Sequence, residues 1–288
     1  MCQVSLHKRY VYGGSQGKSP NSTTATVKEG ATRARPLGPW ILQDPEDTPF
    51  ASTTKKDEVA ALLEWAQTAT LNPRSPPEYY LPTSPNFKGD RDYQVKFSPN
   101  VVRLDITGPK LPNLSFTDLP GVINVSDVAD EEYLVNLVKN LVKEYIKDDK
   151  CINLLTLPMT DDPANSSASK LIRDVKAEGR TVGVLTKPDR VQKAESMDQW
   201  MQILNGERFV LGHGYHIVMN NPDTSVDHAT ARAQERRFFQ ENEPWATELK
   251  IYERCFGTLK LQTALSTKLI AQIRVRYVIN RMRTDSGH

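Results

Sequence analysis

Apolar residues recur along the chain at the three- and four-residue spacing that places side chains on one face of a helix. The pattern is strongest from Glu131 to Lys147, where acidic residues come first and lysines follow, as the helix dipole favours. The spacing predicts helices over Asp57–Ala69, Glu131–Lys147, Asn165–Ala177, Val226–Gln240, Trp245–Phe256 and Leu261–Arg276.

Shorter apolar runs predict strands over Trp40–Gln43, Val101–Thr107, Asn113–Thr117, Cys151–Leu157, Thr181–Thr186 and Tyr215–Asn220. The brief connection Gly108–Pro112 joins the second and third runs, so we expect an antiparallel hairpin there. The predicted helix Asn165–Ala177 separates the fourth and fifth runs, which should therefore be parallel. The pattern predicts an α/β fold with a doubly wound, mainly parallel sheet, one antiparallel edge region and C-terminal helices.

The composition of the chain argues against several classes of protein. The chain of 288 residues carries a formal net charge of +2, which implies no broad basic patch and hence no nucleic-acid partner. Its three cysteines are scattered and lack ligand spacing, which argues against a disulfide framework and a structural zinc site. The first residues lack the apolar core of a signal peptide. We therefore expect a protein of a reducing compartment, the cytoplasm.

One candidate motif follows the predicted strand Asn113–Thr117. Asp118 stands where that strand ends, and Gly121 comes three residues later. A carboxylate in such a place can hold Mg²⁺ through water, and a glycine lets a backbone N–H approach a terminal phosphate. The same four residues are also ordinary turn chemistry, so on this motif alone a nucleotide site and a plain turn both remain open.

A second motif ends the predicted strand Thr181–Thr186. The residues Thr186, Lys187, Pro188 and Asp189 follow a β-branched run, and the Asp189 carboxylate can accept two hydrogen bonds from a guanine edge. A site built this way rejects adenine, because the carboxylate would be left desolvated without donors. Alone, these four residues are better explained as a polar turn. Two such motifs in this order, each after an apolar run, favour a guanine-nucleotide site.

Together with Leu261–Leu265, these motifs make the chain resemble a dynamin-type large GTPase of the kind that fungi carry in divergent copies, from about Asp57 to about Ile273. The resemblance implies a P-loop GTPase-like fold that hydrolyses GTP with Mg²⁺ and serves membrane fission or remodelling. We expect residues 1–240 to form the G domain, with 1–50 degenerate. Residues 241–288 resemble the start of the lever that leads to a stalk, and the stalk itself is expected to be absent.

The resemblance places a phosphate-binding loop near residues 13–19. Against the family pattern, the chain keeps Gly14, Gln16, Gly17, Lys18 and Ser19 but lacks the two residues between Gln16 and Gly17. Loop length sets how many backbone N–H groups surround a phosphate. Two interpretations stay open: a degraded phosphate loop, or an unrelated Gly/Ser-rich segment. A gene-model error would give the same sequence.

The resemblance also implies a role for each site residue. Lys18 would hold the β- and γ-phosphates within a cradle that includes Gly14 and Gly17, and Gln16 would position the attacking water. Gly121 would sense the γ-phosphate. The implied Mg²⁺ ligands are Ser19, Thr32 and Asp118, and the implied guanine-site residues are Thr186, Lys187, Asp189 and Asn220. Thr32 could equally lie in a basic loop, and Asn220 could be a plain turn residue.

Family members pair their G domains and associate with membranes and microtubules, so a G-domain homodimer and a peripheral membrane location are implied expectations. The opposing hypothesis is a remnant that binds nucleotide weakly or not at all and acts as an interaction module. Each lost charge-assisted hydrogen bond is worth roughly 1.5–3 kcal/mol, so a shortened phosphate loop could abolish binding. The loop between Gly13 and Ser19 decides between the two.

Overall fold

The computed structural model describes residues 1–13, 37–109, 111, 114–125, 133–191, 196–223 and 225–285, with side chains as far as residue 274. The chain divides into two compact units, which we call the N-terminal unit, Met1–Val142, and the C-terminal unit, Lys143–His288. Helix α2, Tyr133–Ile146, contains the boundary between them.

The N-terminal unit contains an antiparallel sheet in the order β2-β1-β3, formed by β1 (Cys2–Tyr12), β2 (Trp40–Thr53) and β3 (Val101–Ile106). Its edge strand β2 carries two prolines, which a central strand would not tolerate because each lacks an N–H for the ladder. Helix α1, Val59–Thr70, buries one side against this sheet. The core of the unit consists of Val4, Leu6, Phe50, Ala66, Ala69 and Tyr80.

The predicted hairpin after β3 is wrong. Strand β3 pairs with β1, from Cys2↔Ile106 to His7↔Val101, and residues 114–120 form no strand. The Met1 amine extends this pairing by donating to the Thr107 carbonyl at 2.8 Å. The residues expected to pair are instead exposed, and Phe116 leaves 85% of its surface accessible. The N-terminal segment therefore takes the partner position that sequence spacing assigned to residues 113–117, of which Asn113 lies outside the described residues.

The C-terminal unit contains a parallel sheet in the order β4-β5-β6, formed by β4 (Asn153–Pro158), β5 (Thr181–Thr186) and β6 (Tyr215–Val218). Helices α3, Ser167–Asp174, and α4, Asp198–Leu204, lie in the two crossovers. The predicted parallel crossover is confirmed. The single doubly wound, mainly parallel sheet is not observed: the described residues form two three-stranded sheets, one antiparallel and one parallel.

Strand β5 is central and buried from Thr181 to Leu185, and it packs closely against its neighbour β6. A Cβ on Gly183 would lie 2.1 Å from the ring of Tyr215, its Cα partner across the pair. Real Cβ atoms do not approach so closely, so a tyrosine fits at 215 because 183 has no side chain. The Tyr215 hydroxyl donates to the Phe209 carbonyl, and burial raises its pKa to about 12.

The C-terminal helices begin with α5, His228–Glu241, whose first N–H groups are capped by the Asp227 carboxylate. The segment predicted as an α-helix from Trp245 is instead a 3₁₀ helix over Glu248–Cys255. Helix α6, Thr258–Asp285, begins three residues earlier than expected and packs Leu261 and Leu265 on Val182, Val184 and Val218. In the described part of the chain, no helix combines the length and apolar character needed to cross a membrane.

Candidate nucleotide-binding site

The carboxyl ends of the parallel strands place two parts of the predicted site on one edge of the sheet. Thr186 ends β5 and is the Cα partner of Val218, which ends β6. Lys187 and Asp189 therefore leave the sheet beside the segment that carries Asn220. Ligands of parallel α/β sheets bind at this edge, because loops from neighbouring strands meet there. The structure brings Thr186, Lys187, Asp189 and Asn220 to one edge of the sheet.

The loop after β5 is fixed by its backbone and presents its charged side chains to solvent. Lys187 adopts the left-handed conformation, with φ 57° and ψ 43°, and Pro188 is buried behind it. The Arg190 N–H donates to the Lys187 carbonyl at 3.1 Å, and the Met159 N–H donates to the Thr186 carbonyl at 2.8 Å. A left-handed lysine costs roughly 1–2 kcal/mol, and such strain often marks functional loops. Lys187 and Asp189 are both exposed.

The segment after β6 is held by a residue that sequence reasoning missed. The Met219 N–H donates to the Glu235 carboxylate at 2.9 Å, directly before the exposed Asn220. The other carboxylate oxygen accepts from the Thr258 N–H at 2.9 Å and from the Thr258 hydroxyl at 2.7 Å. Glu235 is only 4% exposed, so these three donors replace the water it lost. The carboxylate thus ties the Asn220 segment to the beginning of α6.

Asp118 and Gly121 belong to the N-terminal unit, and their local structure differs from expectation. Asp118 does not leave a buried strand; it lies in an exposed segment without regular structure. A Cβ on Gly121 would meet no atom within 4 Å, and its φ is not in the left-handed region. The local fold therefore does not require a glycine at 121.

The remaining predicted residues lie outside the described part of the chain. They are Gly14, Gln16, Gly17, Lys18, Ser19 and Thr32. Among the described residues, no three His, Cys, Asp or Glu side chains are grouped to hold a metal ion. Asp118 alone of the predicted Mg²⁺ ligands is described, and its exposed carboxylate is the kind of oxygen donor that this ion prefers.

Two family models match this chain, and between them they cover most of the described residues of the predicted site. The model of the dynamin family matches residues 51–188, which include Asp118, Gly121 and the loop after β5 as far as Pro188. The model of the dynamin central region matches residues 199–277, which include β6, α5 and most of α6. This chain belongs to the dynamin family.

Relatives of this dynamin-family chain come from animals and plants. It is 32% identical over 187 residues to interferon-induced GTP-binding protein Mx2 of Oncorhynchus mykiss, which covers 62% of this chain and 28% of that protein. It is 30% identical over 185 residues to the Mx protein of Perca fluviatilis, covering 62% and 60%. It is 33% identical over 180 residues to phragmoplastin DRP1A of Arabidopsis thaliana, covering 61% and 28%. The chain thus matches under a third of the length of the first and third relatives.

Proposed function

We propose that this chain binds guanine nucleotide with Mg²⁺ and hydrolyses GTP to GDP and phosphate, as a dynamin-like GTPase. The observation that carries the proposal is the loop after β5, which holds the Asp189 carboxylate exposed on a fixed backbone at the ligand-binding edge of a parallel sheet. Membership of the dynamin family and relatives named as GTP-binding proteins support the same ligand.

Each residue has a role in this proposal. Asp189 accepts from the guanine edge, Lys187 lies against the base, and Asn220 adds a contact from the next strand, with Thr186 supporting the loop. Guanine specificity follows because adenine offers the carboxylate no matching pair of donors.

In this proposal, residues earlier in the chain bind the phosphates of the nucleotide. Lys18 and the backbone of Gly14 and Gly17 hold phosphate oxygens, and Gln16 orients the attacking water. Ser19, Thr32 and Asp118 hold Mg²⁺, and Gly121 approaches the γ-phosphate. Bound Mg²⁺ supplies positive charge that neutralises the phosphate oxygens during transfer.

The proposed location and partners of the chain are those typical of the family. We propose a cytoplasmic protein that associates peripherally with membranes, remodels them, and pairs its G domains across the nucleotide. Association with microtubules is part of the same proposal. Residues 1–240 form the proposed G domain, and residues 241–288 form the proposed start of the lever.

The first test is titration of the purified chain with fluorescent GTP and ATP analogues in the presence of Mg²⁺. We expect binding that is selective for GTP and about a hundredfold weaker in Asp189→Ala, because two charge-assisted hydrogen bonds are lost. Asp174→Ala is the matched control, since it removes an exposed carboxylate at the end of α3. Equal affinity for GTP and ATP, or an unaltered Asp189→Ala variant, would contradict the proposal.

A second candidate function rests on the short phosphate loop, which lacks two residues of the family pattern. On this alternative the chain is a remnant that does not turn over GTP and serves as an interaction module. Insertion of two serines between Gln16 and Gly17 distinguishes the candidates. A remnant gains GTP binding on insertion, whereas a working enzyme binds and hydrolyses GTP without it.

A further inference from the structure

A cavity with a volume of about 480 Å³ opens among the C-terminal helices, and we call it the α5 cavity. Its walls come from α5, from the 3₁₀ helix Glu248–Cys255 and from the first turn of α6. Pockets that hold small ligands have volumes in this range. The cavity is separate from the exposed loop that carries Asp189, which contributes no residue to its walls.

Basic side chains dominate the cavity. Arg232 and Arg236 lie one turn apart on α5, and Lys250 faces the same space from the 3₁₀ helix. None of the three side chains is hydrogen-bonded to or ion-paired with a described residue. Like charges four residues apart on a helix repel each other, so this arrangement destabilises α5 unless a negative charge is present.

The neighbouring arginine shows the contrast. Arg237 does not line the α5 cavity and pairs with Glu241 at 2.8 Å, a common arrangement for an exposed helical arginine. Helix α5 therefore neutralises the arginine outside the cavity and leaves the two inside it available.

The carboxylates of the cavity are already engaged. Glu235 accepts from the Met219 N–H and from two donors of Thr258. Glu253 lies 3.9 Å from the Lys260 ammonium, which also donates to the Glu253 carbonyl. Neither acid forms an ion pair with Arg232 or Arg236, and four basic residues line the cavity against these two acids, so its net charge is positive.

The wall behind these charges is a rigid aromatic cluster. Phe239 stacks on Phe256 with a centroid separation of 4.8 Å, and Trp245 meets both rings edge-on. All three rings are buried and line the cavity. Closely packed rings resist rearrangement, so we expect this aromatic wall of the cavity to keep its position.

We propose that the α5 cavity is a binding site for a small phosphate-bearing anion, held by Arg232, Arg236 and Lys250. Two guanidinium groups and an ammonium match the geometry and charge of phosphate oxygens. The source of the phosphate is either a soluble metabolite or a lipid headgroup. This site is distinct from the proposed nucleotide site and does not depend on it.

Calorimetric titration with pyrophosphate tests the proposal. The variant Lys18→Ala serves as the background, so that the proposed phosphate loop does not contribute to the signal. We expect one binding site, weakened about tenfold or more by Arg232→Gln with Arg236→Gln, since charge-assisted hydrogen bonds are lost. Arg237→Gln is the matched control and should bind as the background variant does.

The result that would overturn the proposal is the absence of binding heat, or equal affinity in the double variant and the control. Because Arg232 and Arg236 are exposed and unpaired, the double variant should retain its far-ultraviolet circular dichroism and its thermal midpoint. Should it fail to fold, each single variant is titrated in its place, with a weaker affinity expected for both.

Vesicle sedimentation distinguishes the two sources. Phosphatidylcholine vesicles with and without phosphatidic acid are mixed with the chain and with the double variant. Sedimentation that requires phosphatidic acid and both arginines supports a lipid headgroup. Pyrophosphate binding without sedimentation supports a soluble anion.

Discussion

Glu235 shows what a single buried charge can hold together. Its two oxygens accept from Met219 on one side and from Thr258 on the other, so one carboxylate fixes the end of β6 and the beginning of α6. Gly257 lies against it, where an added Cβ would come within 3.5 Å of a carboxylate oxygen. The position of Asn220 therefore depends on a residue that has no role in the proposed nucleotide site.

Glu235→Gln should destabilise the C-terminal unit by about 1–3 kcal/mol, because the amide NH₂ would face a donor in place of an acceptor. The measurement is thermal unfolding followed by circular dichroism. Glu241→Gln, an exposed acid of the same helix, should change stability by less than about 0.5 kcal/mol. Equal effects of the two variants would contradict the structural role of Glu235.

Substitution of Gly121 should affect nucleotide binding without affecting the stability of the fold. Since its surroundings are open and its φ is ordinary, Gly121→Ala should leave the thermal midpoint unaltered. Our proposal nonetheless requires close approach of its backbone to the γ-phosphate, which a Cβ hinders. We expect GTP affinity to fall about tenfold and GDP affinity to be unaffected, measured by competition against a fluorescent analogue. Loss of both affinities alike would remove Gly121 from γ-phosphate recognition.

The sequence around Asp189 predicts the position of that residue, whereas the sequence around Glu235 does not predict its burial. Asp189 follows a buried β-branched run, and that pattern predicts its place at a strand end without any long-range contact. Glu235 stands among arginines and glutamines on a polar helix, so its pattern is that of a solvated face. Its hydrogen-bond partners, Thr258 and Met219, are distant in sequence.

At the scale of elements, local sequence patterns predicted whether a segment is a helix or a strand better than they predicted which strands pair. The crossover from β4 through α3 to β5 was predicted because two buried strands and an intervening amphipathic helix leave only a parallel arrangement. The predicted hairpin after β3 was wrong because the sequence pattern does not specify which strand pairs with the edge of β3. Strand β1, far away in the chain, pairs there instead.

The pairing of β5 with β6 depends on the missing side chain at 183. Gly183→Ala should destabilise the C-terminal unit by about 1–3 kcal/mol, since its methyl group would overlap the Tyr215 ring. Urea unfolding measures this loss. Gly179→Ala is the matched control, because an added Cβ there meets nothing within 4 Å. Replacing Tyr215 by leucine in the Gly183→Ala variant should recover part of the loss.

At the scale of the whole molecule, the apolar pattern predicted an α/β fold and the composition a nearly neutral charge, and the family comparison agrees with the fold class. The described strands nevertheless form two sheets, since β1 to β3 and β4 to β6 pair only among themselves. Strand patterns alone do not specify how many sheets a chain builds, because backbone pairing is the same within one sheet or two.

The stability of the molecule should fall in mild acid. Burial, and secondly the positive charge of Lys268, lowers the pKa of His216, and the same two causes lower the pKa of His213. Both side chains regain an ordinary pKa of about 6.5 on unfolding, so the unfolded chain binds protons first as the pH falls. Stability from these residues is therefore complete above about pH 6.5 and declines below it.

Thermal midpoints between pH 7.5 and pH 5.5 measure this decline. The variant with glutamine at both positions should show a shallower loss than the parent chain. His228→Gln, an exposed histidine of α5, is the control and should follow the parent. A parallel decline in all three proteins would show that other groups govern the acid response.

The tyrosine at 215 and the glycine at 183 occupy one shared volume, which gives the chain a constraint on its evolution. A side chain at 183 would weaken the packing of β5 against β6 as long as 215 is a tyrosine, whereas a smaller residue at 215 makes room for a side chain at 183. Among dynamin-family chains, the two positions are therefore expected to diverge together, with substitutions at 215 preceding those at 183. The order of substitution follows from geometry, whatever nucleotide the chain binds.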